Sequence, residues 1–236
     1  MIVCYAATRN LYPYLKAAVG SLLKYNDPEK VYVLCEDDNI DGLPEIVEPV
    51  NVSGQTYYRP DGPNMNSIFT YMAMMRLLYV DLFPNLDKIL QLDVDTVVCD
   101  DLTPLWDIDL TGRWFAACPE YKGNYKPFGD YVRYYNIGVA LFNLDQMRKD
   151  GKVPEMVELL NRRRFWTTEQ DVLNLYAVEN GLTKDIPVRF NETAFTGKTD
   201  DPAIIHYAGF PKWYQADPRM DRVEYLIEAR KAVGEI

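Results

Sequence analysis

The stretch DKILQLDVDTVV, residues 87–98, decides how the rest of the chain is read. Its first half, Asp87 to Leu92, reads as a buried strand that ends at Asp93. Asp93 and Asp95 then set two carboxylates where that strand emerges, and both can turn toward one cation. Hard oxygen ligands suit Mg²⁺ or Mn²⁺, either of which bridges diphosphate oxygens. The same D-x-D fits phosphatases and nucleotidyltransferases, and an isolated pair of acids at a strand end is also an ordinary turn.

Outward from this strand the chain alternates between strand and helix patterns. Residues 2–7 (IVCYAA) and 30–36 (KVYVLCE) are strand candidates, and residues 12–25 between them carry Leu15, Val19, Leu22 and Leu23 at helical spacing. This β-α-β opening implies a parallel pair with a right-handed crossover. Residues 66–82 read as one helix with Asn66 as N-cap and an apolar stripe of Ile68, Met72, Met75, Tyr79 and Leu82. Further strands are expected at 114–118, 134–142 and 203–207, and helices near 154–163 and 169–180. A charged amphipathic helix at 221–233 closes the chain within the segment 221–236. The alternation predicts an α/β fold, a mixed, mostly parallel sheet flanked by helices, in one domain over residues 1–236. Ligands of such sheets sit at the carboxyl ends of strands, so the residues after IVCYAA and DKILQL are expected to share a cleft.

Composition narrows the setting. The net charge of −10 argues against unaided binding to nucleic acid or to an anionic membrane, because phosphate contacts need clustered Lys and Arg. The four cysteines form no C-x-x-C; Cys4, Cys35 and Cys99 sit in strand-like apolar runs and read as buried small hydrophobes in a reducing compartment. The N-terminus MIVCYAATRN lacks a basic region followed by a cleavable apolar stretch, and no run approaches the ~20 apolar residues of a membrane span. The expected location is therefore the cytoplasm, where the N-x-S/T matches at Asn51 and Asn191 carry little meaning.

Other residues bear on chemistry. His206, the only histidine, follows an apolar strand in IIHYAG; an imidazole completes a carboxylate site and tilts it toward Mn²⁺, although a lone histidine is more often a satisfied core residue. Gly209 lets backbone approach a phosphate and Lys212 can place a point charge on it, unless they form an ordinary surface turn. Glu169, Gln170 and Asp171 open a helix after Thr167 and Thr168, a pattern that by itself favours helix capping, with Thr168 and Asp171 as a capping box. Asp37, Asn39, Asp41, Gly42 and Glu48 match the EF-hand expression, but a strand precedes them where a helix is required. Neither G-x-x-x-x-G-K-[ST] nor G-x-G-x-x-G occurs, which leaves P-loop and dinucleotide-binding readings unsupported.

Taken in order, CYAATRNLY, MMRLLYVDLFP, DKILQLDVDTVV, LWDIDL, YYNIGVALFN, TEQDVLN and HYAGFPKW resemble glycosyltransferase family 8, the family of bacterial lipopolysaccharide galactosyl- and glucosyltransferases and of glycogenin. The likeness runs from Ile2 to about Trp213. It implies a GT-A fold, a Mn²⁺-dependent UDP-sugar donor (UDP-galactose or UDP-glucose), a glycan or other hydroxyl acceptor, and transfer with retention at the anomeric carbon. By the same resemblance Asp93, Asp95 and His206 fall on the metal ligands, with Val94 counted among the donor-binding residues between the aspartates. Ala7, Thr8 and Asn10 fall on the segment that cradles the uridine, and Arg76 and Lys88 fall near the donor. Asn136 lies beside the sugar, Glu169 and Gln170 form the pair that faces it, and Gly209 and Lys212 form the diphosphate grip.

The chain departs from the family pattern at three places. Thr8 stands where many members have aspartate, so that uracil recognition rests on backbone groups; P-K-W replaces K-P-W around Lys212; and no basic, aromatic C-terminal tail is present, so no stable membrane anchor is expected. The implied mechanism neutralises charge on the departing UDP with the cation and Lys212, while Gln170, a poor nucleophile, stabilises positive charge during front-face attack by the acceptor. A Tyr-rich segment at 119–135 serves either as an acceptor platform or as a packed loop. The competing functions are a metal-dependent nucleotide-sugar hydrolase or nucleotidyltransferase, and a self-glycosylating, glycogenin-like scaffold.

Overall fold

The computed structural model describes residues 1–121, 133–209 and Lys231. Its strands are β1 (Ile2–Ala6), β2 (Lys30–Cys35), β3 (Val47–Asn51), β4 (Lys88–Leu92), β5 (Thr96–Val98), β6 (Phe115–Pro119), β7 (Tyr135–Asn143), β8 (Thr183–Asp185) and β9 (Ile204–His206). Its α-helices are α1 (Tyr12–Tyr25), α2 (Thr70–Met74), α3 (Tyr79–Leu82), α4 (Thr103–Trp106), α5 (Leu144–Asp150), α6 (Val153–Arg162) and α7 (Glu169–Glu179).

Strand β4 sits in the middle of a seven-stranded sheet of order β3-β2-β1-β4-β7-β6-β8. Its residues are buried on both faces because apolar layers cover both: Ile89 packs into one core, Leu90 and Leu92 into the other. Strands β3, β2, β1 and β4 are parallel, β7 is antiparallel to β4 and β6, and β8 is parallel to β6, so β7 runs against the other six. The mixed, mostly parallel sheet expected from the sequence is thus present. The chain steps outward from β1 to β2 and β3, then returns to place β4 on the other side of β1. That reversal opens a crevice at the carboxyl ends of β1 and β4, the usual ligand position in open α/β sheets. The short β5 pairs antiparallel with β9 in a separate two-stranded sheet, matching Thr96 with His206.

The expected helix at 66–82 takes a different form. Helix α2 begins only at Thr70, itself at φ +57°, and passes through a 3₁₀ turn at Met75–Leu78 into α3. Met72, Met74, Met75, Leu77, Leu78 and Tyr79 are all buried, more than one α-helical stripe can turn to a core, and the tighter turn brings consecutive residues inward. Ile68, assigned to the apolar stripe, is instead 65% exposed. The segment is held not by Asn66 but by buried Asn64, whose amide donates to the Leu160 and Arg163 carbonyls and accepts from the Phe165 N–H. Helices α6 and α7 lie where periodicity put them. Edge strands β3 and β8 were not anticipated, because VEPVN and TKD offer no apolar alternation. The EF-hand match lies between β2 and β3, and Glu48 sits in β3 paired with Lys30, so no helix flanks it. The expected C-terminal helix at 221–233, apart from Lys231, and most of the Tyr-rich segment 119–135 lie outside the described residues. None of the described helices is long and apolar enough to cross a membrane.

All four cysteines are free thiols; Cys4, Cys35 and Cys118 are buried and Cys99 is partly exposed. Burial pushes the Cys4 and Cys118 thiols up to about 12, and Cys35 also up. At pH 8 a thiol with that pKa is ionised to roughly one part in ten thousand. A chromogenic disulfide reagent added to the native protein is therefore expected to react with Cys99 first and with the other three only after denaturant is added. Fast reaction that survives Cys99→Ser would contradict the burial of the remaining three.

Candidate active site

The site begins where β4 ends. The Asp93 N–H donates to the Gly138 carbonyl at 2.7 Å, which carries the chain off the sheet beside β7. Asp95 follows, and its carbonyl accepts from the Tyr207 N–H at 2.9 Å, next to the β5–β9 pairing. This small sheet brings His206 to the two aspartates. His206 Nε2 lies 3.3 Å from Asp95 Oδ1 and 3.7 Å from Asp93 Oδ2. One ligand atom from each of Asp93, Asp95 and His206 lies within 4.8 Å of the others, a spacing that one ion can bridge. Two carboxylates and an imidazole are also a donor set that a divalent transition metal accepts. Asp95 and His206 are buried, and Asp93 is half-buried, open to the crevice.

Gly138 is a condition of this arrangement. A Cβ there would lie 2.2 Å from His206 Cε1 and 2.6 Å from Asp93 Oδ2. The register between β6 and β7 jumps at the same point, from Ala117–Ala140 to Cys118–Asn136, so residues 137–139 have no partner in β6. Side chains take the freed amides: the Ile137 N–H donates to Gln170 Oε1 at 3.0 Å and the Gly138 N–H to Asn136 Oδ1 at 3.1 Å.

Arg76, on the 3₁₀ turn, crosses the floor of the site. Its guanidinium lies 2.7 Å from Asp93 Oδ1 and 3.4 Å from Glu169 Oε1, and its Nε is buried with no hydrogen-bond partner among the described residues. Burial favours the neutral form of Arg76, but Asp93 and Glu169 outweigh it and raise the pKa. For Glu169 burial dominates and raises the carboxyl pKa against the pull of Arg76 and of the Thr168 hydroxyl. Gln91, fully buried on β4, donates to Asp93 Oδ1 at 3.1 Å and accepts from the Tyr79 hydroxyl.

The other sequence-selected residues divide clearly. Ala7 and Thr8 leave the end of β1, parallel and adjacent to β4, on the same sheet edge as Asp93; the Thr8 hydroxyl donates to Asn10 at 2.6 Å. Val94 packs into the core between the two aspartates. Glu169 and Gln170 open α7, and Gln170 Nε2 donates to the Tyr134 hydroxyl at 3.0 Å. The capping box is not formed: Thr168 makes no side-chain cap and adopts φ +50°, while Asp171 turns back to accept from the Trp166 and Thr167 N–H groups and the Thr167 and Tyr134 hydroxyls. Holding a buried threonine at positive φ costs about 1–3 kcal/mol, which these bonds offset. Gly209 has φ +87° beside the Phe195 ring, where only glycine is unstrained. Lys212 lies outside the described residues. Lys88 does not join the site: it begins β4, at the opposite end from Asp93, and its ammonium donates to the Trp106 carbonyl and lies over that ring.

Three neighbours escaped the sequence reading. Glu120, just past β6, accepts from Asn136 Nδ2 at 2.9 Å; burial raises its carboxyl pKa. Asn191 lies between Asn136 and His206. Gly138 was legible only as the third residue of N-x-G. Replacing it by alanine is expected to lower affinity for a divalent cation by at least about tenfold while circular dichroism stays native. Mn²⁺ titration followed by electron paramagnetic resonance measures this, and unchanged affinity would show that the site tolerates the added methyl.

The chain matches the family described as glycosyl transferase family 8 over residues 2–215. A Haemophilus influenzae protein described as a putative glycosyltransferase is 26% identical over 215 residues, covering 82% of this chain and 63% of that protein. Probable galacturonosyltransferase 14 of Arabidopsis thaliana is 51% identical over 49 residues, 21% of this chain and 9% of that protein. The chain thus spans less than two thirds of the length of either relative. The galactosyltransferase LgtC, solved with donor and acceptor sugar analogs, superposes with a TM-score of 0.74 at 23% identity, covering all of this chain and 97% of that one. The fold is shared nearly end to end, and the match over residues 2–215 shows that the chain belongs to glycosyltransferase family 8, with the GT-A fold.

Proposed function

We propose that the protein is a retaining hexosyltransferase that moves galactose or glucose from a UDP-sugar to a hydroxyl of a glycan or other acceptor, with Mn²⁺ held by Asp93, Asp95 and His206. The observation that carries this reading is the close approach of those three side chains at the switch point of the sheet. A carboxylate pair with one imidazole suits Mn²⁺ and also admits Mg²⁺. When bound, the cation supplies positive charge for the diphosphate oxygens of the departing UDP. A sugar donor and a sugar acceptor accord with the LgtC structure, solved with analogs of both.

The chain's own residues do the rest. Ala7, Thr8 and Asn10 hold the nucleoside, and Val94 joins them between the two aspartates. Gly209 and Lys212 grip the diphosphate, and Asn136 lines the sugar side. Arg76 fixes Asp93 and Glu169 relative to each other, and a Glu169 carboxylate so paired is a poor covalent nucleophile. The Gln170 amide is held between the Ile137 N–H and the Tyr134 hydroxyl, and its oxygen keeps a second lone pair. That oxygen can face positive charge developing at the anomeric carbon, which favours front-face attack by the acceptor over a covalent glycosyl-enzyme. The free cysteines, three of them buried, support a reducing compartment, and we assign the protein to the cytoplasm.

A panel of UDP-sugars with Mn²⁺ tests the donor. At a hundredfold excess over Kd the true donor is expected to raise the melting temperature by about 5–10 °C. Asp95→Ala is expected to abolish transfer at any Mn²⁺ concentration. A panel without any shift, or full activity in Asp95→Ala, would overturn the reading. Nucleotide products without an acceptor glycoside would reassign the site to a hydrolase or nucleotidyltransferase. Hexoses added to the chain itself, seen by intact mass, would make it self-glycosylating.

A further inference from the structure

We propose that Glu120 and Asn191 are positioning residues that lock His206 in the tautomer whose Nε2 carries the free lone pair. The inference deepens the proposed function, since it rests on reading Asp93, Asp95 and His206 as ligands of one cation.

A continuous line of hydrogen bonds runs from Glu120 to His206. Asn136 Nδ2 donates to Glu120 Oε1 at 2.9 Å, Asn191 Nδ2 donates to Asn136 Oδ1 at 3.1 Å, and Asn191 Oδ1 lies 2.9 Å from His206 Nδ1. Amides and imidazoles are ambiguous by themselves, because each offers donors and acceptors of similar shape. Here the ambiguity is removed at one end. Oε1 of Glu120 accepts from the Asn136 NH₂ group. The backbone N–H of Gly138 only donates, and it points at the other arm of Asn136 at 3.1 Å. Asn136 is therefore fixed from both sides. Its oxygen then faces the Asn191 amide, which must present NH₂ there and its own oxygen to His206. An oxygen opposite Nδ1 requires Nδ1 to carry the proton. The Nε2 lone pair is left free on the edge that faces Asp93 and Asp95. Metal-ligating histidines are generally oriented by a partner on the second ring nitrogen, and this chain extends that device over three side chains.

Burial gives the line its force. Asn191 is fully buried, Asn136 is 6% exposed and His206 4% exposed, so water competes little for these bonds. The same burial settles a sequence motif: Asn191 heads an N-E-T match, yet its side chain is inaccessible to a glycan-transferring enzyme in the folded protein.

His206 is the only histidine, so a single imidazole reports without assignment. The full chain, labelled with ¹⁵N-histidine and freed of metal, is examined by long-range ¹H–¹⁵N correlation at a pH where the imidazole is neutral. The expected spectrum has a protonated, pyrrole-type Nδ1 and an unprotonated, pyridine-type Nε2; the opposite tautomer in the wild-type protein overturns the proposal. Glu120→Leu removes the anchor and is expected to give a tautomer mixture and about tenfold weaker Mn²⁺ binding by isothermal titration. Glu120→Gln, whose amide oxygen accepts the same bond, is expected to restore both. An unchanged tautomer in folded Glu120→Leu, or a Glu120→Gln variant no better than Glu120→Leu, also overturns it. The spectrum is taken without metal or donor, so the two ideas fail separately. A wild-type Nδ1–H tautomer without Mn²⁺ binding sinks the metal reading, whereas Mn²⁺ binding by the other tautomer sinks the relay.

Discussion

The site depends on the space left by a missing methyl group. Residue 138 lies on a central strand, where a side chain would ordinarily help fill the core. Glycine stands there, and His206 and Asp93 meet in the volume that a Cβ would take. The register jump beside it has the same consequence for hydrogen bonding, since it frees two amides of β7 that Asn136 and Gln170 then satisfy. A single irregularity therefore opens room for Asp93 and His206 and fixes two polar side chains at the rim. It also ties the architecture to the site, because the Gly138 carbonyl holds the backbone of Asp93.

Asp93 and His206 are distant in sequence, and the fold joins them through two strands of three residues each. The pairing of Thr96 with His206 continues directly from the D-x-D segment, so backbone hydrogen bonds set the approach of imidazole to carboxylate before any side chain acts. Arg76 arrives from the opposite side on a turn whose other residues are buried and apolar. A buried guanidinium is tolerable only with carboxylate partners, and Asp93 and Glu169 provide them. The same contacts restrain both acids, so the helix segment contributes position as well as charge.

Much of the layout was legible in the sequence. Strands β1, β2 and β4 are apolar runs of strand length, and α1, α6 and α7 follow their periodicity, so alternation alone placed the crevice at Asp93. What failed was the stretch around Arg76, where methionines and leucines on every side erase the stripe that marks an α-helix. The polar edge strands also carried no apolar signal. In the site, Asp93 and Asp95 announced themselves as an acidic pair and His206 as a lone imidazole, but Glu120 and Asn191 did not. Glutamate and asparagine are common, and their significance here comes from burial and from partners distant in the chain. Thr168 looked like a helix cap because caps are recognised by spacing; its positive φ, set by the grip of Asp171 on the preceding loop, leaves no trace in spacing.

The electrostatics of the described site bear on how an acidic chain can take an acidic ligand. Asp93 and Glu169 pair with the Arg76 guanidinium, the Asp95 charge acts on it from beside Asp93, and Glu120 joins the site through Asn136. Burial raises the Glu120 and Glu169 pKa values, which moderates but does not reverse the excess of acid. A diphosphate brought to such a place would meet like charge at close range, where water screens poorly. Arg76 cannot relieve this alone, since its charge is already engaged by two carboxylates. Beside these acids the proposed donor calls for further positive charge, which a bound cation would bring in addition to the proposed grip of Lys212. The one cluster placed to receive that charge among the described residues is the pair of aspartates with the imidazole, and a divalent cation there would turn the acids from an obstacle into ligands.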